Sequence, residues 1–249
     1  MFVLWVMMLA CGLDPYGYEP DSDVDKSVDR GDPANYVYPK NTDDRIILYA
    51  GNGGTTITNR TVITTEWDKA GWTVEALNQW PSDLDGVRLV IMTNVGNRSQ
   101  GQDFDEPQIE QIAQALSDGT RFVFAQRSEA CSSSVLFTLL EENLASPIVL
   151  SGNSLGGSDA SVTLEDLQSS SQPLEDITSL EMTNPCLVST KNENQVLATD
   201  GSGSVVLASH RPGDAGDIVV LGDMMVLSDI GQAHSGNRAF AMNLAVVVP

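Results

Sequence analysis

The chain has 249 residues, of which 41% are hydrophobic and 19% are charged, a mixture that is typical of a globular protein with a sizeable core and excludes a disordered chain. Its 34 acidic and 13 basic residues give a formal net charge of -21, which repels phosphate backbones and anionic lipid headgroups. We therefore expect no nucleic-acid partner. The acidic excess favours a role in solubility outside the cytoplasm, and a specific cationic partner is the alternative.

The first eleven residues, MFVLWVMMLAC, are almost wholly apolar and end at Cys11. They are too few for a spanning helix, which needs about 20 apolar residues, and they lack the positive charges that begin a signal peptide. The ending MLAC resembles the lipobox of bacterial lipoproteins, whose cysteine is diacylated, although Met8 and Leu9 depart from the best pattern. This resemblance predicts that residues 1–11 are a signal segment and that Cys11 carries lipid. A frayed apolar N-terminus with a chance cysteine is the alternative.

The chain contains three cysteines. If Cys11 carries lipid, Cys131 and Cys186 remain as one possible disulfide pair, in a compartment that permits disulfides. Such a bridge would stabilise the fold by about 4 kcal/mol in the chain-entropy model. Two buried free thiols in the cytoplasm are the alternative. Because His210 and His234 lie 24 residues apart and no Cys-x-x-Cys motif occurs, we expect no metal site and no cofactor.

Residues 12–44 contain four prolines and nine acidic residues and show no apolar periodicity. This composition predicts an acidic flexible tether that would hold a domain away from a membrane. The run DSDVDKSVDRGD alternates aspartates as a calcium loop does. Lys26 stands where such loops need glycine, however, and no glutamate closes the site, so a solvated acidic linker is the preferred interpretation.

From Arg45 onward, strand patterns alternate with helix patterns, and residues 45–249 are predicted to form one domain. Apolar runs bounded by turns predict strands RIILYA (45–50), WTVEAL (72–77), VRLVIMTN (87–94) and RFVFAQ (121–126). Helices are predicted at residues 55–71, 105–119 and 133–144; the second is the clearest, with Pro107 in its first turn and Gly119 as its C-terminal cap. This order predicts an α/β fold of the flavodoxin-like type, a mostly parallel sheet with helices on both faces.

The helical patterns fade after Pro147. Short apolar segments then predict added β-hairpins in the C-terminal half: PIVLSG, SVTLED, SLEMTN, CLVST, QVLAT and SVVLASH. The run DIVVLGD (217–223) predicts a last core strand, and GNRAFAMNLAVVV (236–248) predicts a closing helix.

Three stretches carry a family resemblance: IEQIAQALSDGTRFVFAQ, SQPLEDITSLEMTN and AGDIVVLGDMMVLSDIGQAHSGNRAFAMNLA. Together they resemble the class I glutamine-amidotransferase-like domains, and more closely the non-catalytic branch found in gliding-motility auxiliary proteins and intraflagellar-transport subunits. The likeness spans about residues 45–248. It implies the same α/β fold and a domain without catalytic residues.

Catalytic members of that superfamily place a nucleophilic cysteine at a tight strand-to-helix turn, and a histidine with a glutamate two residues later. Here Cys131 lies five residues past Gln126 instead of at the turn, and His210 is followed by Arg211 and Pro212 without a glutamate. A thiolate nucleophile needs a base within about 3 Å and a third group that orients the base. We therefore predict no catalytic residues, and a structural role or an inert thiol for Cys131.

Polar residues follow several of the predicted strands. Asn52 and Gly53 belong to the loop AGNGGTT (50–56), whose amides could cradle an anion at the start of a helix; tight turns are the alternative reason for its glycines. Ligands in open α/β sheets collect at the carboxyl ends of the strands. Asn52, Gly53, Asn94, Gln126 and Asp223 therefore form a candidate ligand edge. We interpret Asp223 as a residue that fixes its turn or caps the next segment, in preference to a direct ligand.

These features together predict a lipid-anchored protein of the bacterial cell envelope, either an outer-membrane or a periplasmic lipoprotein. Its lipid would attach it to the membrane, and its inactive amidotransferase-like domain would bind or scaffold a protein partner. A hydrolase or carbohydrate-handling enzyme of the envelope, with a site at the carboxyl ends of the strands, is the alternative.

Overall fold

The computed structural model describes residues 44–57, 59–96, 102–156, 161–163, 166–167, 172–174, 177–213 and 215–246. All of these residues lie in one compact unit. The predicted signal segment with Cys11, the tether as far as residue 43 and its calcium-like run lie outside the described residues.

The described residues contain twelve strands. They are β1 (Arg45–Tyr49), β2 (Thr73–Leu77), β3 (Val87–Thr93), β4 (Arg121–Ala125), β5 (Ile148–Ser154), β6 (Ser161–Thr163), β7 (Asp166–Leu167), β8 (Glu181–Thr183), β9 (Cys186–Thr190), β10 (Val196–Thr199), β11 (Val205–His210) and β12 (Ile218–Leu221).

The α-helices in the same residues are α1 (Thr61–Lys69), α2 (Glu106–Ser117), α3 (Ser134–Phe137) and α4 (Ser235–Ala245). Helix α3 continues as a π-helix over Thr138–Asn143. No helix within the described residues has the length and apolar character needed to cross a membrane.

The main sheet has eight strands in the order β2-β1-β3-β4-β12-β11-β10-β7. The pairs from β2 to β12 are parallel, and β11, β10 and β7 extend the sheet through antiparallel pairs. Two antiparallel pairs, β5–β9 and β6–β8, lie outside this sheet. The predicted α/β fold, with its mostly parallel sheet and its added hairpins in the C-terminal half, is confirmed.

Both faces of the parallel strands are buried. In β1, Ile46 and Leu48 belong to one hydrophobic cluster, which also receives Trp67 of α1 and residues of α4. Ile47 and Tyr49 alternate with them and belong to the cluster on the other face, which receives residues of α2 and α3. Successive side chains of a strand point to opposite faces, so a strand covered on both sides has a continuous apolar sequence.

Helix α1 begins at Thr61, not at Thr55 as the sequence predicted. The preceding residues form a loop in which Asn59 adopts a positive φ of 54°, and the helix has no side-chain cap of its own. Asp229 supplies the cap from the other end of the domain, because its Oδ1 accepts a hydrogen bond of 2.8 Å from the Val62 amide. Threonine's weak helix propensity and this distant cap explain why the sequence alone placed the start too early.

Helix α2 matches its prediction because its signals are local. The Asp105 side chain accepts from the Gln108 amide, and the Gln108 side chain accepts from the Asp105 amide, which makes a complete capping box. Gly119 follows the helix with a φ of 102°, which favours glycine. On the inner face of α2, the side chains of Ile112, Ala115 and Leu116 are buried.

A buried ion pair joins the amino ends of two central strands to the end of α4. The Arg121 side chain is fully buried, and its Nε donates a hydrogen bond of 2.7 Å to Asp217 Oδ1. Its Nη1 donates to the carbonyls of Asn243 and Leu244, at 3.1 and 2.8 Å. These carbonyls end α4, where a cation is favoured by the helix dipole. One guanidinium therefore fixes β4, β12 and α4 relative to one another.

We predict that Arg121→Met lowers the free energy of unfolding by about 3–5 kcal/mol, because it leaves the Asp217 carboxylate buried without a counter-charge. Denaturant titration measures the change. The double variant Arg121→Met/Asp217→Leu should recover at least half of the loss. Arg127→Met, at a more exposed ion pair with Glu129, is the control and should change stability by less than about 1 kcal/mol. If Arg121→Met and the double variant lost the same free energy of unfolding, the unpaired Asp217 carboxylate would not be the cause of the loss.

Candidate functional site

Three central strands end side by side at the carboxyl edge of the sheet. The Asn94 amide donates to the Ala125 carbonyl at 3.0 Å, and the Gln126 amide donates to the Leu221 carbonyl at 2.9 Å. The Met224 amide then donates to the Gln126 carbonyl at 2.7 Å. These bonds place Asn94, Gln126 and Asp223 next to one another.

Asn52 and Gly53 lie at the same edge, after the neighbouring strand β1. The Asn52 carbonyl accepts from the Gly96 amide at 3.0 Å. Its side chain accepts from the Tyr49 hydroxyl at 2.5 Å and donates to the Gln102 carbonyl at 2.8 Å. The structure thus brings all five residues of the candidate ligand edge to one end of the sheet, with Asn52 engaged in contacts of its own.

Two buried amide side chains lie at the centre of this edge. Asn94 is 1% exposed, and its Nδ2 donates to Thr55 Oγ1 at 3.0 Å and to Glu129 Oε1 at 3.4 Å. Gln126 is fully buried, and neither its Oε1 nor its Nε2 has a hydrogen-bond partner among the described residues.

Asp223 is the N-cap of the short 3-10 helix Met224–Leu227. Its Oδ1 accepts from the Met225 amide at 2.9 Å, and its Oδ2 accepts from the Thr183 amide at 2.6 Å. Burial raises the pKa of Asp223 to about 6, against the lowering effect of these two amides and of Arg127; the Glu129 carboxylate adds to the rise. Both carboxylate oxygens are therefore engaged in fixing backbone, which agrees with the turn-capping interpretation.

A strap, defined as residues Thr183–Cys186, lies against the carboxyl edge beside Gly222. The Cys186 amide donates to the Gly222 carbonyl at 2.8 Å. A Cβ on Gly222 would lie 2.3 Å from the Cys186 carbonyl oxygen and 3.1 Å from Pro185 Cβ, so only glycine allows the strap to approach this closely. Asp223 holds the other end of the strap through the Thr183 amide. The strap therefore covers the edge at β12.

A disulfide between Cys131 and Cys186 fastens the strap to the loop between β4 and α3, with a Cα–Cα distance of 5.2 Å. Cys131 is 4% exposed and Cys186 is fully buried. Cys131 lies next to a 3-10 turn at Ser128–Ala130 and just before α3. The predicted pairing is present, and its sulfur atoms are shielded from solvent.

His210 lies at the opposite end of the sheet from Cys131. In the antiparallel pair of β11 and β12, His210 pairs with Ile218 at the start of β12, whereas Leu207 pairs with Leu221 at its end. The three steps along β12 span about 10 Å. His210 contacts Gln195 through Nδ1, at 3.4 Å, and burial lowers the pKa of the imidazole. The two residues do not form a catalytic pair.

The glycine loop at residues 50–56 lines a polar cavity of about 370 Å³ with Asn78. Its glycines have steric reasons, since a Cβ on Gly51 would lie 2.1 Å from the Tyr49 hydroxyl and one on Gly54 would lie 2.6 Å from the Thr93 carbonyl oxygen. The anion-binding interpretation required a helix starting at this loop, but α1 begins only at Thr61. The predicted start of a helix at this loop is therefore not present, while tight packing accounts for Gly51 and Gly54; anion binding at the loop stays a prediction.

A larger cavity of about 800 Å³ opens at the amino ends of β3 and β4. We call it the amino-end groove, and its lining residues are Asp44, Asp83, Leu84, Asp85, Gly86, Val87, Arg88, Gln111, Gln114, Ala115, Asp118, Gly119, Thr120 and Ala215. The sequence did not predict this groove, because ligand sites were expected at the carboxyl ends of the strands. The aspartates in the turns at residues 83–85 and 118 were the available signal.

Within the described part of the chain, no group of three or more histidine, cysteine, aspartate or glutamate side chains is arranged to hold a metal ion. The calcium-like run of the tether lies outside that part.

No family model and no curated protein matches the chain, but solved structures do. The mmIFT52 N-terminal domain aligns with a TM-score of 0.58 at 16% identity, over 81% of this chain and 97% of that one. A cytoplasmic protein from Salmonella typhimurium aligns with a TM-score of 0.59 at 8% identity, over 81% and 97%. A glutamine amidotransferase from Thermotoga maritima aligns with a TM-score of 0.52 at 10% identity, over 81% and 95%. At these identities the likeness establishes the fold, which is amidotransferase-like as the sequence predicted.

We predict that Asp223 makes stability depend on pH. Its pKa is raised from 3.8 to about 6, so the folded state binds the proton more tightly than the unfolded state does. Between about pH 4 and pH 6 the free energy of unfolding should therefore fall as pH rises, by about 3 kcal/mol for this group.

Asp223→Asn cannot ionise and should remove this fall, whatever its effect on absolute stability. Urea titrations from pH 3.5 to 8 measure the difference between the two proteins. Asp118→Asn, at an exposed carboxylate, serves as the control and should leave the pH profile unchanged. Parallel profiles for the native chain and Asp223→Asn would show that Asp223 is not the titrating group.

Proposed function

We propose that this chain is a non-catalytic binding module, held by an N-terminal lipid in a bacterial envelope, whose amidotransferase-like domain binds or scaffolds a protein partner. The Cys131–Cys186 disulfide carries the proposal. A thiolate nucleophile requires a free sulfur, and the one cysteine near the strand-to-helix turn is engaged in a covalent bond.

The surroundings of the disulfide support the same conclusion. His210, the histidine that the family resemblance pointed to, lies at the far end of the sheet. Asp223 is occupied by two backbone amides, and the strap packs against Gly222. An acyl-transfer site needs a nucleophile, a base and space for the substrate within about 3 Å of one another. At this edge the cysteine is bonded, the histidine is distant and the space beside Gly222 is filled.

The disulfide and the N-terminal sequence support the proposed location. Disulfides persist in oxidising compartments such as the periplasm and are rare in the cytoplasm. The MLAC ending at Cys11, followed by the acidic tether, fits a lipoprotein whose domain stands away from the membrane. The 32 residues 12–43, which precede the buried Asp44, would have a root-mean-square reach of roughly 30 Å as a flexible coil.

An envelope hydrolase or carbohydrate-handling enzyme is the second candidate, and one observation favours it. The pKa of Asp223 is raised to about 6 by burial, and raised carboxyl pKa values are common among general acids. The same burial follows from its capping role, which requires no substrate. The binding module therefore accounts for more of the observed contacts.

We predict that neither Cys131 nor Cys186 reacts with iodoacetamide when the chain is unfolded without reductant, and that both react after dithiothreitol. Peptide mass spectrometry distinguishes the two states. The oxidised chain should release no more ammonia from glutamine than the variant Cys131→Ala/Cys186→Ala. Rapid labelling of Cys131 in the native chain, together with ammonia release that the variant lacks, would refute the non-catalytic proposal.

We predict that the chain, expressed with its native N-terminus in a bacterial host, is cleaved before Cys11 and carries a diacylglycerol thioether there. Intact-mass analysis of the detergent-extracted protein measures the added acyl mass. Cys11→Ser should leave the chain uncleaved and without acyl mass. Recovery of native protein without lipid would reject the anchor while leaving the binding proposal intact.

A further inference from the structure

We propose that the amino-end groove is a docking surface for a basic, amphipathic segment of a partner protein. The inference rests on the proposed binding function and assigns to it a surface and a partner chemistry. The groove lies at the end of the sheet opposite to the strap and the disulfide.

The size and lining of the groove suit an amphipathic segment. Its volume is about 800 Å³, and since pockets of roughly 300–1,000 Å³ enclose small ligands, it can receive a few side chains of a docked segment. Val87 and Ala115 are buried in its lining, and Leu84 and Ala215 are half-buried. These residues provide an apolar floor between the loop at residues 82–86 and α2.

The walls of the groove are held in place by side chains on both sides. Arg45 Nη1 donates to the Asp85 carbonyl at 3.0 Å and to Asp83 Oδ1 at 3.2 Å. From the other side, Gln111 Nε2 on α2 donates to the Ser82 carbonyl at 3.1 Å. A preformed wall lowers the entropy that docking would otherwise lose.

The rim of the groove has more acidic side chains than basic side chains to neutralise them. Its lining contains four aspartates and one arginine. Arg88 pairs with Asp44, and Asp83 pairs with Arg45 outside the lining. Asp85 and Asp118 form no ion pair with another described residue, although Gln114 donates to Asp118. Two uncompensated carboxylates beside an apolar floor favour a segment that carries lysine or arginine next to apolar side chains.

Charge also discriminates against two other occupants. Residues 12–43 of the tether have eight acidic and three basic residues, so their net charge of -5 opposes entry into the acidic groove, whose lining includes Asp44. A second copy of the chain carries the same net charge of -21 and is repelled at long range.

The test uses the full chain and an 18-residue helical peptide of lysine and leucine with an apolar stripe; a glutamate-leucine peptide of the same pattern is the negative probe. Fluorescence anisotropy gives the affinity, and amide chemical-shift mapping gives the site. We expect the lysine peptide alone to bind, with shifts at Leu84, Ala115 and Ala215. Raising the salt concentration from 50 to 500 mM should weaken its affinity at least about tenfold.

Asp85→Asn/Asp118→Asn should weaken the lysine peptide about tenfold, and Ala215→Lys should weaken it as much by placing a cation in the groove. Glu142→Gln/Glu193→Gln, which removes the same charge at exposed positions elsewhere, should change the affinity by less than about twofold. Circular dichroism confirms that each variant is folded.

Equal weakening by the two double variants would overturn the docking proposal, because only net charge would then matter. Shifts confined to other surfaces would overturn it too. A carbodiimide cross-link from Lys26 to Asp85 or Asp118 within one chain would assign the groove to the tether, and a dimer joined through the groove would assign it to a second copy. Each of these results would reject the docking proposal but not the binding-module proposal. The binding-module proposal is rejected by a different result, which is rapid labelling of Cys131 together with ammonia release.

Discussion

Burial of both faces of the parallel strands is the constraint on which the rest of the structure depends. The side chains of β1 and its neighbours enter hydrophobic clusters on either side of the sheet, and helices must cover both. A partner or ligand therefore reaches the central strands only at their ends. The carboxyl ends hold the strap, the disulfide and the capping carboxylate, whereas the amino ends open into the groove. Of the two cavities described, the larger therefore lies at the amino ends and the smaller at the glycine loop after β1.

The sequence was sufficient for those parts of the fold whose signals are local. Apolar runs and turns located β1, β3, β4 and β12, and Pro107 and Gly119 located the ends of α2. It was insufficient for the start of α1, because the Asp229 cap comes from a residue 167 positions away. Distant contacts of this kind leave no periodic pattern in either segment that forms them.

In the candidate site, too, the sequence predicted some features from local signals and missed those that depend on contacts between distant segments. Strand ends predicted that Asn94, Gln126 and Asp223 would meet at one edge, and parallel pairing placed them there. The strap could not be foreseen, because it depends on Gly222 lacking a Cβ and on the Thr183 amide reaching Asp223. The amino-end groove arises where α2 and the loop at residues 82–86 pack, and neither segment alone indicates a cavity.

The distant cap on α1 has a consequence for the order in which the chain acquires its structure. During synthesis the residues of α1 emerge long before Asp229 does, so the helix must wait for the C-terminal segment before its first turn is satisfied. Arg121 similarly waits for the carbonyls of α4. Contacts between sequence-distant segments slow folding because loop closure must precede them. Completion of the domain on the ribosome therefore depends on release of α4. A nascent chain halted before residue 229 would lack both the Asp229 cap on α1 and the hydrogen bonds from Arg121 to α4.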